Sequence, residues 1–162
     1  MAETLDVNTM LANEFEPKRI FRWTISIDGI DAFTAKTAAR PKKDHQEIVI
    51  DWINQKRFLA GKGEWMPIDI ELHDPISPSQ AQKVLDWLRL LHDSDVGRAG
   101  YATQYYKNFT LKLLDGPGNV VEKWSCQGAW PKNIDWGQLD YANNETLTVK
   151  FTLRANNWSL EF

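Results

Sequence analysis

Apolar and polar residues alternate along much of this chain, most cleanly over 146–154. There Leu147, Val149, Phe151 and Leu153 point one way, and Thr146, Thr148, Lys150, Thr152 and Arg154 the other. That period predicts a half-buried β-strand. Its register is pinned, because a slip of one residue would put four apolar side chains in water. Asn143-Asn144-Glu145 ahead of it is turn chemistry, since short amides tolerate left-handed backbone and close their own turns. Pro131 cannot donate to a ladder, so the strand entering Trp130 is expected to end or to reach a sheet edge there.

Upstream, Phe21, Trp23, Ile25 and Ile27 alternate, and Asp28-Gly29 predicts a tight hairpin into a strand over 30–36. A longer hairpin is expected from 46–53 and 57–60, with Ile48, Ile50 and Trp52 on one face against Glu47, Val49 and Asp51. Gly61-Lys62-Gly63 is expected to lie at a flexible tip. Met66, Ile68, Ile70 and Leu72 predict the next strand, which Pro67 places at an edge. A third hairpin spans 106–115 and 119–127 across Gly116-Pro117-Gly118.

One helix is predicted. Ser77 supplies a cap, Pro78 fits the first helical position, and Ala81, Val84, Leu85, Leu88 and Leu91 form an apolar stripe. Val7, Met10, Leu11 and Phe15 have helical spacing before Pro17, but such a turn is too short to stand alone. We therefore expect an N-terminal arm over 1–17 and a single domain over 18–162. The fold class is mainly β with one α-helix: a β-sandwich or partly open barrel of two packed antiparallel sheets, with the helix on the side.

Composition narrows the function. The 162 residues are 43% hydrophobic and 25% charged, which is ordinary for a globular protein. A net charge of −3 argues against gripping nucleic acid, which needs a basic patch to displace counterions. No apolar run approaches membrane-spanning length, and the first residues lack the order of a signal peptide, so cytosolic synthesis and no membrane partner are expected. Eight tryptophans exceed what one small core comfortably absorbs, so some are expected at contacts between chains.

Catalytic chemistry is not expected, and neither is a metal or a cofactor. His45, His73 and His92 are scattered, and Cys126 stands alone without a partner at ligand spacing. Ser125 and Cys126 lack a nucleophile motif, and Ala60-Gly61-Lys62-Gly63-Glu64 lacks the spacing of a phosphate-binding loop. The carboxylate pair Asp69 and Glu71 fits a solvated strand face.

Gly128-Ala129-Trp130-Pro131-Lys132-Asn133, then Leu139-Asp140-Tyr141, then the Asn143-Asn144-Glu145 turn and the alternating strand occur in a characteristic order. That order resembles the tail tube proteins of contractile-tailed bacteriophages. The likeness is strongest over 128–158. It extends through 21–27, the hairpin of 48–65 and the helix segment Val84-Leu85-Asp86-Trp87. The resemblance implies a structural subunit whose hexameric rings stack into a hollow cylinder carrying viral DNA. Sheath protein would lie outside, with a baseplate initiator and a tail terminator at the ends. The place of such a protein is the virion tail, after synthesis and assembly in the host cytoplasm. A tube initiator or the tube of a phage-like injection system fits the same resemblance. From another class, a Trp-rich carbohydrate-binding β-sandwich predicts a monomer with an exposed aromatic row.

Two residue sets follow from the tube reading. Duplex DNA carries about one negative charge per ~1.7 Å of axis, so a basic wall would hold it while an acidic or neutral wall lets it slide. Glu47, Asp51, Asp69 and Glu71 stand opposite apolar strand faces and are the expected lumen residues. Lys56, Arg57, Phe58, Leu59 and Lys62 are the expected contacts between stacked rings.

Overall fold

The computed structural model describes residues 16–162. In chain order, strands β1 (Trp23–Ile27), β2 (Ala35–Ala38), β3 (Lys43–Trp52), β4 (Gln55–Trp65) and β5 (Ile68–His73) precede helix α1 (Gln80–Leu91). The short strands β6 (His92–Asp93) and β7 (Arg98–Ala99) and a single turn α2 (Ala102–Tyr105) come next. Strands β8 (Lys107–Leu114), β9 (Val120–Asp135), β10 (Thr148–Arg154) and β11 (Asn157–Leu160) complete the fold.

Strand β9 belongs to two sheets. Its first half pairs β8 on one side and β11 on the other, and β8 pairs β1. From Trp130 onward it pairs only β10, which continues through β5 to β2. Pro131 thus lies where β9 has a neighbour on one side alone. The strand does not stop at Trp130 but reaches an edge, the position a residue without N–H tolerates.

The inward faces of the two sheets build one core. Ile25, Ile27, Phe109, Leu111, Cys126 and Trp158 come from the first sheet, and Ile68, Ile70, Leu72, Phe151 and Leu153 from the second. Val149, Phe151 and Leu153 are buried as the alternation predicts, while Leu147 falls ahead of β10 and stays exposed. Val84 and Trp87 of α1 pack against the same core. The Trp87 Nε1–H donates to the Tyr105 carbonyl at 2.7 Å, tying α1 to α2.

Several expectations are corrected. The Asp28-Gly29 turn forms, but only one bridge (Ile27 to Ile30) follows it, and the chain then crosses to the second sheet, where β2 pairs β5. Strand β5 is internal, between β10 and β2; Pro67 sits just before it and so removes no ladder bond. The helix cap is Ser79 rather than Ser77, with the Gln82 N–H donating to its Oγ. Asp74 accepts from the Gln80 and Ala81 N–H groups as well, satisfying donors that the first helical turn cannot bond internally. The last residues are tied to β9, where Glu161 N–H donates to the Lys123 carbonyl and Lys123 N–H donates to the Phe162 carbonyl. The helical spacing over Val7, Met10, Leu11 and Phe15 lies outside the described residues.

Candidate assembly surfaces

The β3–β4 hairpin exposes an extended apolar surface that includes Ile48, Ile50, Trp52, Phe58 and Leu59. Both strands are exposed for nearly their whole length, so among the described residues no layer covers either face of the pair. Its turn is Ile53-Asn54, and Gly61-Lys62-Gly63 lies inside β4 rather than at a tip. The glycines serve a bulge at 45–47, where the strands crowd. A Cβ on Gly61 would meet the Gln46 carbonyl oxygen at 2.7 Å, and one on Gly63 would meet the His45 ring at 2.6 Å.

Beyond the bulge the register is regular, and residues directly opposite share a face. One face carries Ile48, Ile50, Trp52, Gln55, Arg57 and Leu59. The other carries Glu47, Val49, Asp51, Lys56, Phe58 and Ala60. The expected lumen and stacking sets therefore intermix. Glu47 and Asp51 share a face with Phe58 and Lys56, Asp51 pairs with Lys56 at 3.6 Å, and Arg57 and Leu59 stand on the reverse. Trp52 is 64% exposed and Phe58 62%.

Asp69 and Glu71 stand elsewhere, on the outward face of the second sheet. Asp69 accepts from the Thr152 hydroxyl at 2.6 Å, and Glu71 pairs with Lys36 at 3.0 Å. The Lys36 ammonium, then the Thr148 hydroxyl, hold the Glu71 carboxyl below its usual range, and Lys150 opposite adds to this. The face is polar and mixed in sign rather than acidic.

A further exposed stretch lies outside the residue sets expected from the sequence. The connection 136–147 between β9 and β10 exposes Leu139 (84%), with Trp136 and Tyr141 also open to solvent. Its backbone is held locally: Gly137, Ala142 and Glu145 N–H groups donate to Asp135, Asp140 and Asn143 side chains, each at 2.9 Å. The signal available was the bulky Trp136, Leu139 and Tyr141 amid turn residues, where loop tips usually carry small polar ones.

Of the tryptophans, Trp87 and Trp158 are buried and Trp23, Trp65 and Trp124 pack partly against the core; Trp52 and Trp136 are exposed. Those last two lie in separate elements and form no aromatic row. Cys126 is buried, and burial pushes its thiol up to about 12, so no thiolate is available for attack.

A groove of about 650 Å³ opens between the β1 and β2 edges, lined by Phe21, Trp23, Ala35 and Leu113 among others. Beside it lies Glu122, a buried carboxylate on β9. It accepts from Trp124 Nε1 at 2.6 Å and Arg40 Nη2 at 2.5 Å, and from the Lys18 ammonium. Burial alone would raise its pKa, but the hydrogen bonds from Lys18, Trp124 and Arg40 outweigh it and hold it at about 2. A folded value below the unfolded 4.5 means the contribution is present above pH 4.5 and fades as pH falls toward 2. The shift corresponds to about 3 kcal/mol. Urea midpoints measured from pH 7 down to pH 3 should fall more steeply for the native chain than for Glu122→Gln; parallel curves would show that Glu122 carries no such linkage.

The comparisons with known proteins bear on these surfaces. The family model described as T4-like virus tail tube protein gp19 matches residues 19–159. A tail tube protein of Serratia phage KSP90 is 25% identical over 115 residues, 70% of this chain and 65% of that relative's own length. Tail tube protein gp19 of Enterobacteria phage T4 is 24% identical over 151 residues, 91% of this chain and 93% of that one. Among solved structures, the sheath/tube terminator of an extracellular contractile injection system shares the fold at a TM-score of 0.74. It has 16% identity and covers 93% of this chain and 100% of that one. Sheets, hairpin and alternating final strand together fall within the matched span, and the chain belongs to the T4-like virus tail tube protein gp19 family, as a structural tail tube subunit.

Proposed function

We propose that six copies close into a ring, that rings stack into a hollow tube, and that DNA passes along the bore without specific binding. The observation that carries this reading is the pair of borders on the second sheet that no described strand covers. It ends in β2 on one side and in the Trp130–Asp135 half of β9 on the other. Unpaired strand borders invite association, and joining β2 of one copy to the β9 half of the next removes both while the main chain supplies the bonds. Two different borders meeting head to tail close into a ring when the rotation fits.

In such a ring the outward face of the second sheet lines the bore. Asp69 and Glu71 lie there among Lys36, Lys150 and Thr152, giving water and passing phosphates a polar wall of mixed sign. A wall of that kind holds DNA weakly and lets it slide. Glu47 and Asp51 belong instead with the hairpin, because a bore that also displayed Val49 and Phe58 would put apolar surface in water. The hairpin, with Lys56, Arg57, Phe58, Leu59 and Lys62, bridges one ring to the next. Sheath protein covers the outside, and an initiator and a terminator close the ends. The protein works as a virion component made in the host cytoplasm, with no enzymatic activity.

Electron microscopy of the concentrated protein tests the assembly directly: rings or hollow rods support it, and uniform monomers overturn it. Reversing the bore charges with Asp69→Lys and Glu71→Lys should leave tubes intact but slow DNA release from particles. If release is unchanged and assembly fails instead, those carboxylates belong to a contact between subunits.

A further inference from the structure

We infer that the hairpin of one copy docks on the 136–147 connection of a copy in the next ring, through Ile48, Ile50, Trp52 and Leu59, with Arg57 seated among Asp135, Asp140 and Glu145. The inference rests on the tube reading and names the two surfaces that the stacking contact joins.

The strand register places these surfaces at opposite ends of the second sheet. Strand β5 begins at Ile68, opposite Leu153 near the end of β10, and the hairpin enters the sheet there. Glu64 pairs with Arg154 at 3.2 Å, and Trp65 Nε1 donates to Asn157 at 3.1 Å, fixing the hairpin base to that end. The 136–147 connection joins Asp135 to Thr148, and Thr148 lies opposite His73, the last residue of β5. Six steps of β10 at ~3.3 Å each separate the ends by about 20 Å. One copy therefore offers the hairpin at one end and the connection at the other. A contact between them is head to tail and repeats without closing, which is what a stack requires.

Chemistry selects the face. Beyond the bulge, the Ile48–Trp52–Leu59 face bears one charge, Arg57. The connection exposes Trp136, Leu139 and Tyr141, bears Asp140 and Glu145, and has no lysine or arginine. Apolar surface meets apolar surface, and a lone cation meets carboxylates. The reverse face carries Glu47 beside the Asp51–Lys56 pair, so its one unbalanced charge is negative and would meet those same carboxylates, an orientation that like charges disfavour. The connection is already shaped by its own side chain-to-backbone bonds, so little ordering entropy is lost when the hairpin arrives.

A thiol cross-link tests this. Asn54→Cys at the hairpin turn and Asn144→Cys in the connection replace exposed polar residues, and the buried Cys126 stays unreactive. Polymerised double variant treated with a short bismaleimide should give a ladder on denaturing gels that runs past the size of one ring, while either single variant stays monomeric. A ladder that stops at one ring would place the contact within rings and overturn the inference. Tubes without any ladder would overturn it too, leaving the tube reading standing. If the unsubstituted protein forms no tubes, the tube reading falls and this contact with it. Independently, Arg57→Glu should cut tube yield roughly tenfold, and adding Asp140→Arg with Glu145→Arg should restore it. Failure of that restoration counts against the contact.

Discussion

The Trp52→Asp variant is expected to fold normally and to build no tubes. Trp52 is mostly exposed in the single chain and closes the hairpin opposite Gln55, so the core loses nothing when it is replaced. Its melting temperature should stay within a few degrees of the native one. Assembly differs, because a buried aromatic anchor at an interface contributes about 2 kcal/mol or more per copy. An aspartate held there without a partner adds a desolvation cost of several kcal/mol. Every ring repeats the loss at each of its subunits, and about 1.4 kcal/mol is already tenfold in an equilibrium constant. Sedimentation and electron microscopy should therefore show only small species at concentrations where the native chain polymerises. Tubes of normal length from this variant would remove the hairpin from the stacking contact.

Replacing Trp87 acts on the other side of the ledger, on the fold itself. Its ring is 1% exposed, its Nε1 bonds the Tyr105 carbonyl at 2.7 Å, and the Lys107 ammonium lies 4.9 Å from its centroid. Trp87→Ala leaves a cavity under α1 and should cost about 3–5 kcal/mol, a large share of the ~5–15 kcal/mol that holds a typical domain. Trp87→Phe keeps much of the volume but orphans the Tyr105 carbonyl, and should cost about 1–3 kcal/mol. Urea unfolding of both variants gives the comparison. Equal small losses for the two would mean that α1 contributes little to the core. Hydrogen exchange should also rise over α1 and α2 in Trp87→Ala, since this side chain joins them.

Elements whose partners are dictated by their own period are legible in the sequence alone. In β10, Val149, Phe151 and Leu153 alternate with polar neighbours, and burial follows that alternation. The third hairpin was legible for a similar reason, since Gly116-Pro117-Gly118 turns the chain between two apolar runs and β8 pairs β9 across it. The place of strand β2 is not legible, because four residues, Ala35–Ala38, carry no period, and the Asp28-Gly29 turn offers a nearer partner than β5. The glycines at 61 and 63 looked like a tip because composition cannot separate a glycine that bends the chain from one that makes room for a facing strand.

The candidate surfaces divide along the same line. That the hairpin holds apolar residues beside lysine and arginine, and that Trp136, Leu139 and Tyr141 follow the second half of β9, is written in the chain itself. So are the family, the β-rich class and the single main helix, because these depend on residue order and local periodicity. Only the tertiary structure decided which residues share a face, which ends of the sheet they occupy and which remain uncovered. It parted Phe58 from Leu59, set Glu47 beside Phe58 instead of Asp69, and brought Lys18 and Arg40 to Glu122. Those facts depend on strand register and on contacts between residues distant in the chain. No local pattern encodes them, since cross-strand neighbours are chosen by the packing of the whole core.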